Sequence, residues 1–322
     1  MKLTHATHHS SRITNYPKVS IIILNWNGLA DTIECLGSLK KITYPNYEVI
    51  VVDNGSQGND AQVLKERFGD HIHLIQNDKN YGFAGGVNIG MKYAMDGSSP
   101  DYFLLLNNDT VVAPDFLNQL VKLAESDPNI GITGAKIYYC SFPNHIQTVG
   151  NRVHMMRGTT SMIGNKAVDS VEYDRQREVD YFGPCLLIKN KVVQKIGLFD
   201  ESYFCYWEDA DYCIRAQRAG YKIAYVFEAK VWHKQSARLE PWYMALEKKK
   251  QVTEAPYVIY YCTRNSFKFM KKHATKWQYL VFLFYFFSVR LCFTVGVYLV
   301  YQRNTRRLVS FFHGVRDGVS GS

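Results

Sequence analysis

The chain has 322 residues, of which 47% are hydrophobic, so it can form one large domain or two small ones around a substantial core. This composition excludes wholesale disorder. The formal net charge of +9 is compatible with nucleic acid, an acidic substrate or a membrane surface as a partner, and the distribution of the charge must separate these classes. The seven cysteines show no zinc-binding or redox spacing, which indicates ordinary thiols in a reducing compartment.

The N-terminus is polar, contains His5, His8 and His9, and lacks the apolar core of a signal peptide. We therefore expect a flexible tail over residues 1–16, followed by one domain over residues 17–245. Within this domain, strands are predicted at 19–24, 48–53, 72–76, 102–106, 131–137, 184–188 and 223–227, and helical periodicity is clear at 30–40 and 115–125. Strands separated by helices predict a doubly wound, mainly parallel α/β sheet.

Polar side chains follow three of the predicted strands at the point where each strand ends. Asn-Trp-Asn-Gly (25–28) follows the first strand, Asp-Asn-Gly-Ser (53–56) the second and Asn-Asn-Asp (107–109) the fourth. Open α/β sheets bind their ligands at this edge, although each motif taken alone is also an ordinary turn. Asp109, which ends a buried apolar run, is suited to hold a divalent cation together with a diphosphate.

A glycine-rich segment follows the third predicted strand. Residues 80–90 read Asn-Tyr-Gly-Phe-Ala-Gly-Gly-Val-Asn-Ile-Gly and lead into a helical pattern. Glycines there allow close approach of the backbone to a ligand, and the positive end of the helix would attract a diphosphate. Because no Gly-x-Gly-x-x-Gly follows the first strand, a dinucleotide-dependent dehydrogenase is poorly supported.

Taken in order, the motifs at 25–28, 53–56, 80–90 and 107–110 resemble those of inverting family 2 glycosyltransferases of the GT-A fold. The rhamnosyltransferase-like and galactofuranosyltransferase-like members, which build bacterial surface polysaccharides, are the most similar. The resemblance covers about residues 17–240 and implies a nucleotide-diphosphate sugar donor with Mg²⁺ or Mn²⁺ as cofactor. The donor-binding residues that it implies are Asn25, Trp26, Asp53, Gly82, Gly86, Asn88 and Asn108.

Three acidic residues, Glu208, Asp209 and Asp211, lie within four positions. In a helix, Asp209 and Asp211 lie about 200° apart and cannot both face one ligand, whereas Asp211 stands four residues before Arg215, the spacing of a helical ion pair. The resemblance implies that Asp209 is the general base and that Glu208 and Gly183 lie on the acceptor side. The alternative for all three acids is an acidic first helical turn that is favoured by the helix dipole.

His233 follows the last predicted strand of this domain. A lone histidine in such a place is more often structural than functional. The resemblance, however, implies that His233 completes the metal site begun by Asp109, with the two residues ligating Mg²⁺ or Mn²⁺ from opposite sides of the cleft. Asn107 stands where the family has the first Asp of its Asp-x-Asp motif, which leaves more of the coordination to diphosphate and water.

The composition changes near residue 246, where a basic stretch interleaved with aromatic residues begins. Residues 279–301 follow, and Arg290 is the only charge in a run long enough, at about 1.5 Å per residue, to cross a hydrocarbon core. We therefore predict a membrane-associating helical region over 246–322. A spanning helix, an in-plane or re-entrant pair broken near 288–290, and a buried helix all stay open. The flanking basic residues favour anionic lipid over nucleic acid.

These features predict a metal-dependent inverting hexosyltransferase in which Asp209 takes a proton from the acceptor hydroxyl. From resemblance alone we expect rhamnose from dTDP-rhamnose, a lipid-linked or polysaccharide acceptor in cell-surface glycan synthesis, and a location at the cytoplasmic face of the plasma membrane, peripheral or single-span. One alternative is a processive polysaccharide synthase, although only one candidate span exists and Leu239 replaces the Trp of the synthase motif Gln-x-x-Arg-Trp. The other alternative is a non-catalytic nucleotide-sugar-binding membrane scaffold.

Overall fold

The computed structural model describes residues 16–234 and 255–321 of the chain. The histidine-containing tail up to residue 15, the segment 235–239 compared with the synthase motif, and the predicted boundary between residues 245 and 246 lie outside the described residues. The division into a domain at 17–245 and a C-terminal region at 246–322 therefore stays a prediction.

The first part of the chain alternates strands and helices, as the sequence predicts. The elements are β1 (Val19–Asn25), α1 (Leu29–Leu39), β2 (Tyr47–Asp53), α2 (Asp60–Phe68), β3 (His73–Gln76), α3 (Gly82–Gly97) and β4 (Tyr102–Leu106). The four strands are parallel neighbours in the order β4-β1-β2-β3. The runs of Val, Ile and Leu in β1, β2 and β4 are buried on both faces, which is typical of parallel strands covered by helices, whereas β3 is a partly exposed edge strand.

The following part adds antiparallel pairs to the same sheet. The elements are β5 (Thr110–Val112), α4 (Phe116–Ser126), β6 (Ile130–Tyr139), β7 (Phe142–Thr148), β8 (Asn151–His154), β9 (Thr159–Met162), β10 (Arg177–Glu178), β11 (Cys185–Lys189), α5 (Asn190–Ile196), α6 (Glu208–Arg218) and β12 (Lys222–His233). The main sheet has the order β10-β12-β6-β11-β4-β1-β2-β3, in which β11 is antiparallel to both of its neighbours. The fold is the predicted GT-A type, with a mixed but mostly parallel sheet.

Helices cover both faces of this sheet because alternate residues of each strand point to opposite sides. Ile21 and Ile23 of β1 belong to a core that also contains Leu36 of α1. Ile22, which lies between them, belongs to a second core with Met91 of α3. The helices thus leave the carboxyl ends of the strands as the open edge of the molecule.

The C-terminal region is helical. Its elements are α7 (Pro256–His273), α8 (Lys276–Tyr285), α9 (Leu291–Gly296) and α10 (Thr305–Ser320), and two π-helical turns (Phe286–Arg290 and Val297–Tyr301) follow α8 and α9. The predicted break near residues 288–290 is therefore a π-helical turn within a helix that continues in the same direction.

Among the residues that the structure describes, one helix, Lys276–Val300, is long and apolar enough to cross a membrane. One side of this helix joins a third core, in which Phe282 and Phe286 pack with Phe267 of α7 and Tyr203 of the preceding domain. The C-terminal helices thus share a core with the elements that lie before them.

Candidate active site

Two adjoining cavities open at the carboxyl edge of the sheet. The first cavity, of about 610 Å³, is lined by residues that follow β1, β2 and β4, by the start of α3 and by α7. The second cavity, of about 590 Å³, is lined by the residues before α6, by the first turn of α6 and by the end of β12. Phe83, Asn107, Cys205 and Tyr206 line both cavities, so the two cavities share a wall.

The structure brings three of the predicted donor-binding residues to the first cavity, namely Trp26, Gly82 and Asn108. Trp26 is about half exposed, so part of its indole ring is open to stack on a planar group. The side-chain amide of Asn108 donates to Oγ1 of Thr32 at 2.9 Å, which holds Asn108 at the cavity wall. The three residues present an aromatic face and polar groups to a ligand of nucleotide size.

Asn25 and Asp53 lie beneath this cavity and do not line it. Nδ2 of Asn25 donates to Oδ1 of Asp53 at 2.7 Å, and Oγ of Ser56 donates to the same oxygen at 2.5 Å. Oδ1 of Asn25 accepts from Thr32 at 2.7 Å. Both residues are buried, and their hydrogen bonds join the ends of β1 and β2, whereas a direct donor contact at either position stays a prediction.

Gly86 and Asn88 also lie away from both cavities, on the side of α3 that packs against other elements. A Cβ atom on Gly86 would lie 2.3 Å from Cδ1 of Leu24, so this glycine allows α3 to approach the sheet. The amide of Asn88 donates to the carbonyl of Phe199 at 2.9 Å and accepts from the N–H of the same residue at 3.0 Å. In this structure these residues fix the position of α3, and their predicted donor contacts gain no support from geometry.

The N-terminus of α3 was expected to offer free N–H groups to a diphosphate, and this expectation is wrong. The N–H groups of Phe83 and Ala84 donate to the carbonyl oxygen of Phe204, at 2.6 and 3.3 Å. Gly82 has a φ of +77°, and a Cβ atom there would lie 2.4 Å from that same oxygen. The glycine therefore makes room for a distant chain segment, a contact that no local sequence pattern reveals.

The second cavity contains the predicted general base and the predicted acceptor-side residues. Asp209 and Glu208 occupy the first turn of α6 and line this cavity with Gly183. A Cβ atom on Gly183 would lie 3.3 Å from Oδ2 of Asp209, so the glycine keeps the space beside this carboxylate open. Oδ1 of Asp209 accepts from the N–H of Ala210 at 2.7 Å.

Burial changes the proton affinity of both acids. It raises the pKa of Asp209 to about 7, because the charged form loses contact with water. Burial, together with the charge of Asp209, also raises the pKa of Glu208 well above its usual range. Oε2 of Glu208 is buried and has no hydrogen-bond partner among the described residues, so this oxygen can contact a bound molecule.

Asp211 points to the other side of α6, as the helical geometry predicts. Its Oδ2 accepts from Nε of Arg215 at 2.9 Å, which confirms the predicted ion pair. Its Oδ1 also accepts from Nε2 of His273 at 2.7 Å and from Nζ of Lys272 at 2.8 Å, and both of these partners belong to α7. Although burial acts to raise the pKa of Asp211, the hydrogen bonds from His273 and Lys272 hold it well below its usual range.

The two predicted metal ligands lie side by side. Antiparallel pairing of β5 with the end of β12 sets His233 opposite Thr110, and Nε2 of His233 lies 3.0 Å from Oδ1 of Asp109. The prediction that they lie on opposite sides of the cleft is therefore wrong, because the sequence did not reveal β5. Nδ1 of His233 lies 2.9 Å from Oε1 of Gln147, and a hydrogen on Nδ1 leaves Nε2 available to a cation.

A carboxylate and an imidazole at this distance fit one divalent cation of the Mg²⁺ or Mn²⁺ type. Within residues 16–234 and 255–321, no group of three or more His, Cys, Asp or Glu residues forms a metal site. Asp109 and His233 are thus the two candidate ligands among these residues, and oxygens from a diphosphate and water would complete the coordination that they begin.

Comparison with known proteins identifies the family. The model of the family "Glycosyl transferase family 2" matches residues 20–197, more than half of the chain. The chain belongs to glycosyltransferase family 2. The match covers the sheet from β1 to β11 together with Asp109, and it ends before the first turn of α6.

Relatives of this family 2 member include a low-salt glycan biosynthesis hexosyltransferase, Agl10, of Haloferax volcanii. It is 28% identical over 207 residues, which cover 64% of this chain and 63% of the relative. N-acetylglucosaminyl-diphospho-decaprenol L-rhamnosyltransferase of Mycobacterium tuberculosis is 27% identical over 220 residues, which cover 62% of this chain and 70% of the relative. The aligned part of the chain thus spans less than two thirds of the Haloferax relative.

Solved structures show the same fold as this family 2 member. The mannosyltransferase PcManGT from Pyrobaculum calidifontis, in complex with GDP-Man and Mn²⁺, gives a TM-score of 0.56 at 14% identity and covers 95% of this chain and 88% of its own. S. aureus TarS 1-349, in complex with UDP-GlcNAc, gives a TM-score of 0.55 at 16% identity, and the match covers 92% of this chain and 81% of the TarS chain. At such identities the likeness extends to the fold alone.

Sequence reasoning missed the part of the site that this family 2 member takes from α7. Tyr257 and Tyr261 line the first cavity, and Val258 and Cys262 line the second. The signal was present, since aromatic residues recur through this stretch, but it was read as a lipid-facing feature. Only the tertiary structure shows that this face of α7 closes the cavities.

Proposed function

We propose that this chain transfers a hexose from a nucleoside-diphosphate sugar to an acceptor hydroxyl, with inversion at the anomeric carbon. The observation that carries the proposal is that Asp209 and His233 line one cavity, which adjoins a larger aromatic-walled cavity through Asn107. The first cavity holds the nucleotide beside Trp26, and the acceptor enters the second. Membership of glycosyltransferase family 2 supports the same reaction.

Asp209 is the proton acceptor of the proposed reaction. Its carboxylate takes the proton from the acceptor hydroxyl while the hydroxyl oxygen attacks the anomeric carbon and the bond to the diphosphate breaks. A pKa raised towards neutrality makes Asp209 a stronger base than an ordinary aspartate, while part of it still carries charge at pH 7. Because attack comes from the side opposite the diphosphate, the anomeric configuration inverts.

Asp109 and His233 hold the divalent cation in this proposal. When bound, the cation neutralises the negative charge that develops on the departing diphosphate. Gln147 orients the ring of His233 through Nδ1, and the pairing of β5 with β12 keeps the two ligands together. Mn²⁺ in the Pyrobaculum mannosyltransferase structure supports a metal requirement.

We assign rhamnose as the sugar, dTDP as the nucleotide and a lipid-linked glycan as the acceptor. The Mycobacterium relative supports the sugar and the acceptor, because its name specifies rhamnosyl transfer to a sugar on decaprenyl diphosphate. Glu208 lies beside Asp209 and faces the acceptor, with one buried oxygen available to hydrogen-bond an acceptor hydroxyl. Such an acceptor is held at a bilayer, so the enzyme must work at a membrane surface.

We further propose that the helix Lys276–Val300 lies in the plane of the membrane surface at the cytoplasmic face of the plasma membrane, which makes the protein peripheral. One side of the helix is covered by protein, since Phe282 and Phe286 are buried and Nη1 of Arg290 donates to the carbonyl of Gly158 at 3.4 Å. A spanning helix could not keep these contacts at its middle. The other side exposes large apolar residues, and basic residues at both ends suit anionic lipid.

A donor screen with the purified full chain tests the catalytic proposal. Release of each nucleoside diphosphate is measured with dTDP-rhamnose, UDP-galactofuranose, UDP-glucose and UDP-N-acetylglucosamine, with a lipid-diphosphate N-acetylglucosamine acceptor and Mn²⁺. We expect dTDP-rhamnose to be the best donor. Asp209→Asn should lower the transfer rate by roughly 10²–10⁴-fold while donor binding persists.

The matched control is Asp70→Asn, which changes an exposed aspartate outside both cavities and should leave transfer unchanged. Near-normal turnover by Asp209→Asn would exclude Asp209 as the base. If the wild-type chain uses no donor but binds one, the non-catalytic scaffold becomes the better description. A product that carries many added sugars would instead indicate a processive synthase.

A further inference from the structure

The segment of residues 203–207, called the 203–207 loop below, contains three non-glycine residues with positive φ angles, in the left-handed region of backbone conformation. Phe204, Tyr206 and Trp207 have φ angles of +63°, +66° and +76°. Residues with a side chain rarely adopt such angles, because Cβ crowds the backbone, and they persist only where the surroundings hold them. Local backbone bonds, such as that from the N–H of Cys205 to the carbonyl of Tyr203 at 2.7 Å, shape part of the loop, and contacts with α7 add to them.

The middle of α7, which faces this loop, supplies the restraint. Nδ2 of Asn265 lies within hydrogen-bond distance of the carbonyl oxygens of Tyr203, Cys205 and Tyr206, at 2.9, 2.8 and 2.8 Å, so its two hydrogens are shared among three acceptors. Asn265 is fully buried, so loss of its amide group would cost these carbonyls a buried donor. Arg264 adds donations to the carbonyls of Ser202 at 2.8 Å and Tyr203 at 3.0 Å.

Aromatic side chains of α7 pack on the same loop. The ring of Tyr261 stacks on Phe204, with centroids 5.0 Å apart and planes 14° apart. The ring of Phe269 lies 4.8 Å from that of Trp207. On α7, Tyr261, Asn265 and Phe269 follow one another at helical spacing. A single face of α7 therefore contacts the whole loop.

The 203–207 loop in turn contacts the catalytic part of the proposed site. The carbonyl of Phe204 accepts from the N–H of Phe83 at 2.6 Å and so orients the start of α3. Trp207 is the N-cap residue of α6, and its carbonyl accepts from the N–H of Asp211 at 2.8 Å. Asp209 belongs to the turn that this bond closes, so a change in the loop moves Asp209 directly.

We propose that Asn265 is a positioning residue, which holds the 203–207 loop in its left-handed conformation and thereby places Asp209 and the wall shared by both cavities. The catalytic part of this inference rests on the proposed function, because it takes Asp209 as the base. Arg264 adds two hydrogen bonds to the loop at the partly exposed edge of the contact between α7 and the loop. The C-terminal helices are thus part of the active site and not only an attachment to the membrane.

The test compares Asn265→Asp, Arg264→Ala and a control, Lys271→Ala, in the full chain. Asn265→Asp keeps the size of the side chain but replaces the donor with an acceptor that repels three carbonyl oxygens. Lys271 lies on the same helix and contacts the carbonyl of Val319, away from the loop. Hydrogen exchange measured by mass spectrometry follows residues 203–211, and steady-state kinetics gives kcat and KM.

We expect Asn265→Asp to speed exchange over 203–211 at least about 10-fold, because the loop then opens without unfolding the domain. The value of kcat should fall by roughly 100-fold, with a smaller rise in KM, because the base is displaced. Arg264→Ala should act in the same direction and more weakly, and it decides the question if Asn265→Asp fails to fold. Lys271→Ala should match the wild type in both measurements.

Wild-type exchange over 203–211 in a folded Asn265→Asp chain would overturn the inference. Faster exchange with an unchanged kcat would refute the catalytic part, since the loop would then move without displacing Asp209. If the wild-type chain transfers no sugar from any donor, the proposed function fails, whereas the exchange measurement still decides whether Asn265 holds the loop. The two proposals therefore fail in distinguishable ways.

Discussion

Asp209 and Asp211 stand two residues apart in one helical turn, and their surroundings shift their proton affinities in opposite directions. Burial in the second cavity raises the pKa of Asp209, whereas the hydrogen bonds from His273 and Lys272 overcome burial and lower that of Asp211. Pairs of acids whose pKa values are pushed apart in this way divide the work between them. Here Asp209 is suited to exchange a proton and Asp211 to keep a permanent charge.

The pH dependence of transfer follows from the raised pKa of Asp209. A general base works only when it is deprotonated, so kcat/KM should rise about tenfold per pH unit below pH 7 and level off above it. The measurement is kcat/KM for the best donor between pH 5 and 9 at constant ionic strength. A rate that stays flat between pH 5 and 8 would show that proton transfer to Asp209 does not limit the reaction.

Removal of the metal or of His233 tests the cation site. Addition of EDTA should abolish transfer, because the diphosphate then leaves without charge neutralisation. His233→Ala leaves Asp109 as one protein ligand, so we expect half-maximal activity to require roughly 10–100-fold more Mn²⁺. His73→Ala, which removes a half-exposed histidine at the far edge of the sheet, is the control. Full activity in excess EDTA would contradict the role of both ligands.

At the scale of elements, α7 stabilises α6 as well as the 203–207 loop. Asp211 is fully buried, and two of its hydrogen-bond partners, Lys272 and His273, come from α7. Arg218 of α6 also donates to the carbonyl of His273. The folding of the C-terminal helices and that of α6 are therefore coupled through buried charge.

Replacement of Asp211 measures this coupling. Asp211→Asn leaves the partly exposed cations Lys272 and Arg215 without their counter-ion and removes hydrogen bonds to a buried carboxylate, so the free energy of unfolding should fall by about 2 kcal/mol at pH 7. Because the folded pKa of Asp211 is lowered, its contribution is present above its usual pKa and is lost as the pH falls through the folded value. The difference between wild type and variant should therefore shrink on acidification below about pH 4.

Urea unfolding at pH 7 and at about pH 3, which lies below the usual pKa of an aspartate, makes this measurement. Asp127→Asn removes the partner of Lys222 in an exposed pair, so the free energy of unfolding should fall much less than in Asp211→Asn. An equal loss in the two variants would show that the buried cluster around Asp211 adds nothing beyond a surface ion pair.

At the scale of the whole molecule, the helix Lys276–Val300 and the two cavities are linked through their shared contacts with α7. The buried side of this helix packs against α7, and α7 in turn lines both cavities. An in-plane helix would thus hold the mouths of the cavities at a set height above the bilayer. Such a height suits an acceptor whose lipid diphosphate is anchored in that bilayer.

Negative charges introduced on the exposed face of the helix Lys276–Val300 test whether this face binds a membrane. Phe284 and Phe293 are 75% and 72% exposed, so Phe284→Asp together with Phe293→Asp should keep the fold but abolish sedimentation with phosphatidylglycerol-containing vesicles. Val171→Asp, at an 87% exposed position outside this helix, is the control. Undiminished binding by the double variant would contradict the proposed surface. Protection of residues 305–320 from added protease inside sealed vesicles would indicate a spanning helix instead.

The alternation of strands and helices in the first part of the chain, and the polar ends of those strands, were determined by the sequence alone. Val, Ile and Leu runs that switch to Asn25, Asp53 or Asp109 predict strands that end in polar side chains, because hydrophobic periodicity and turn chemistry are local properties. The helical spacing of Asp211 and Arg215 predicted their ion pair for the same reason. The composition after residue 246 likewise showed an apolar helix, although not which side of it faces protein.

Contacts between distant segments were decided only by the tertiary structure. Phe204 occupies the start of α3, β5 brings Asp109 to His233, and Asn265 holds a loop sixty residues before it. No pattern in the chain marks these pairs, because each depends on strand pairing and helix packing that bring separate segments together. The motifs therefore identify the chemistry, whereas packing determines which side chains reach the cavities and which hold them in place.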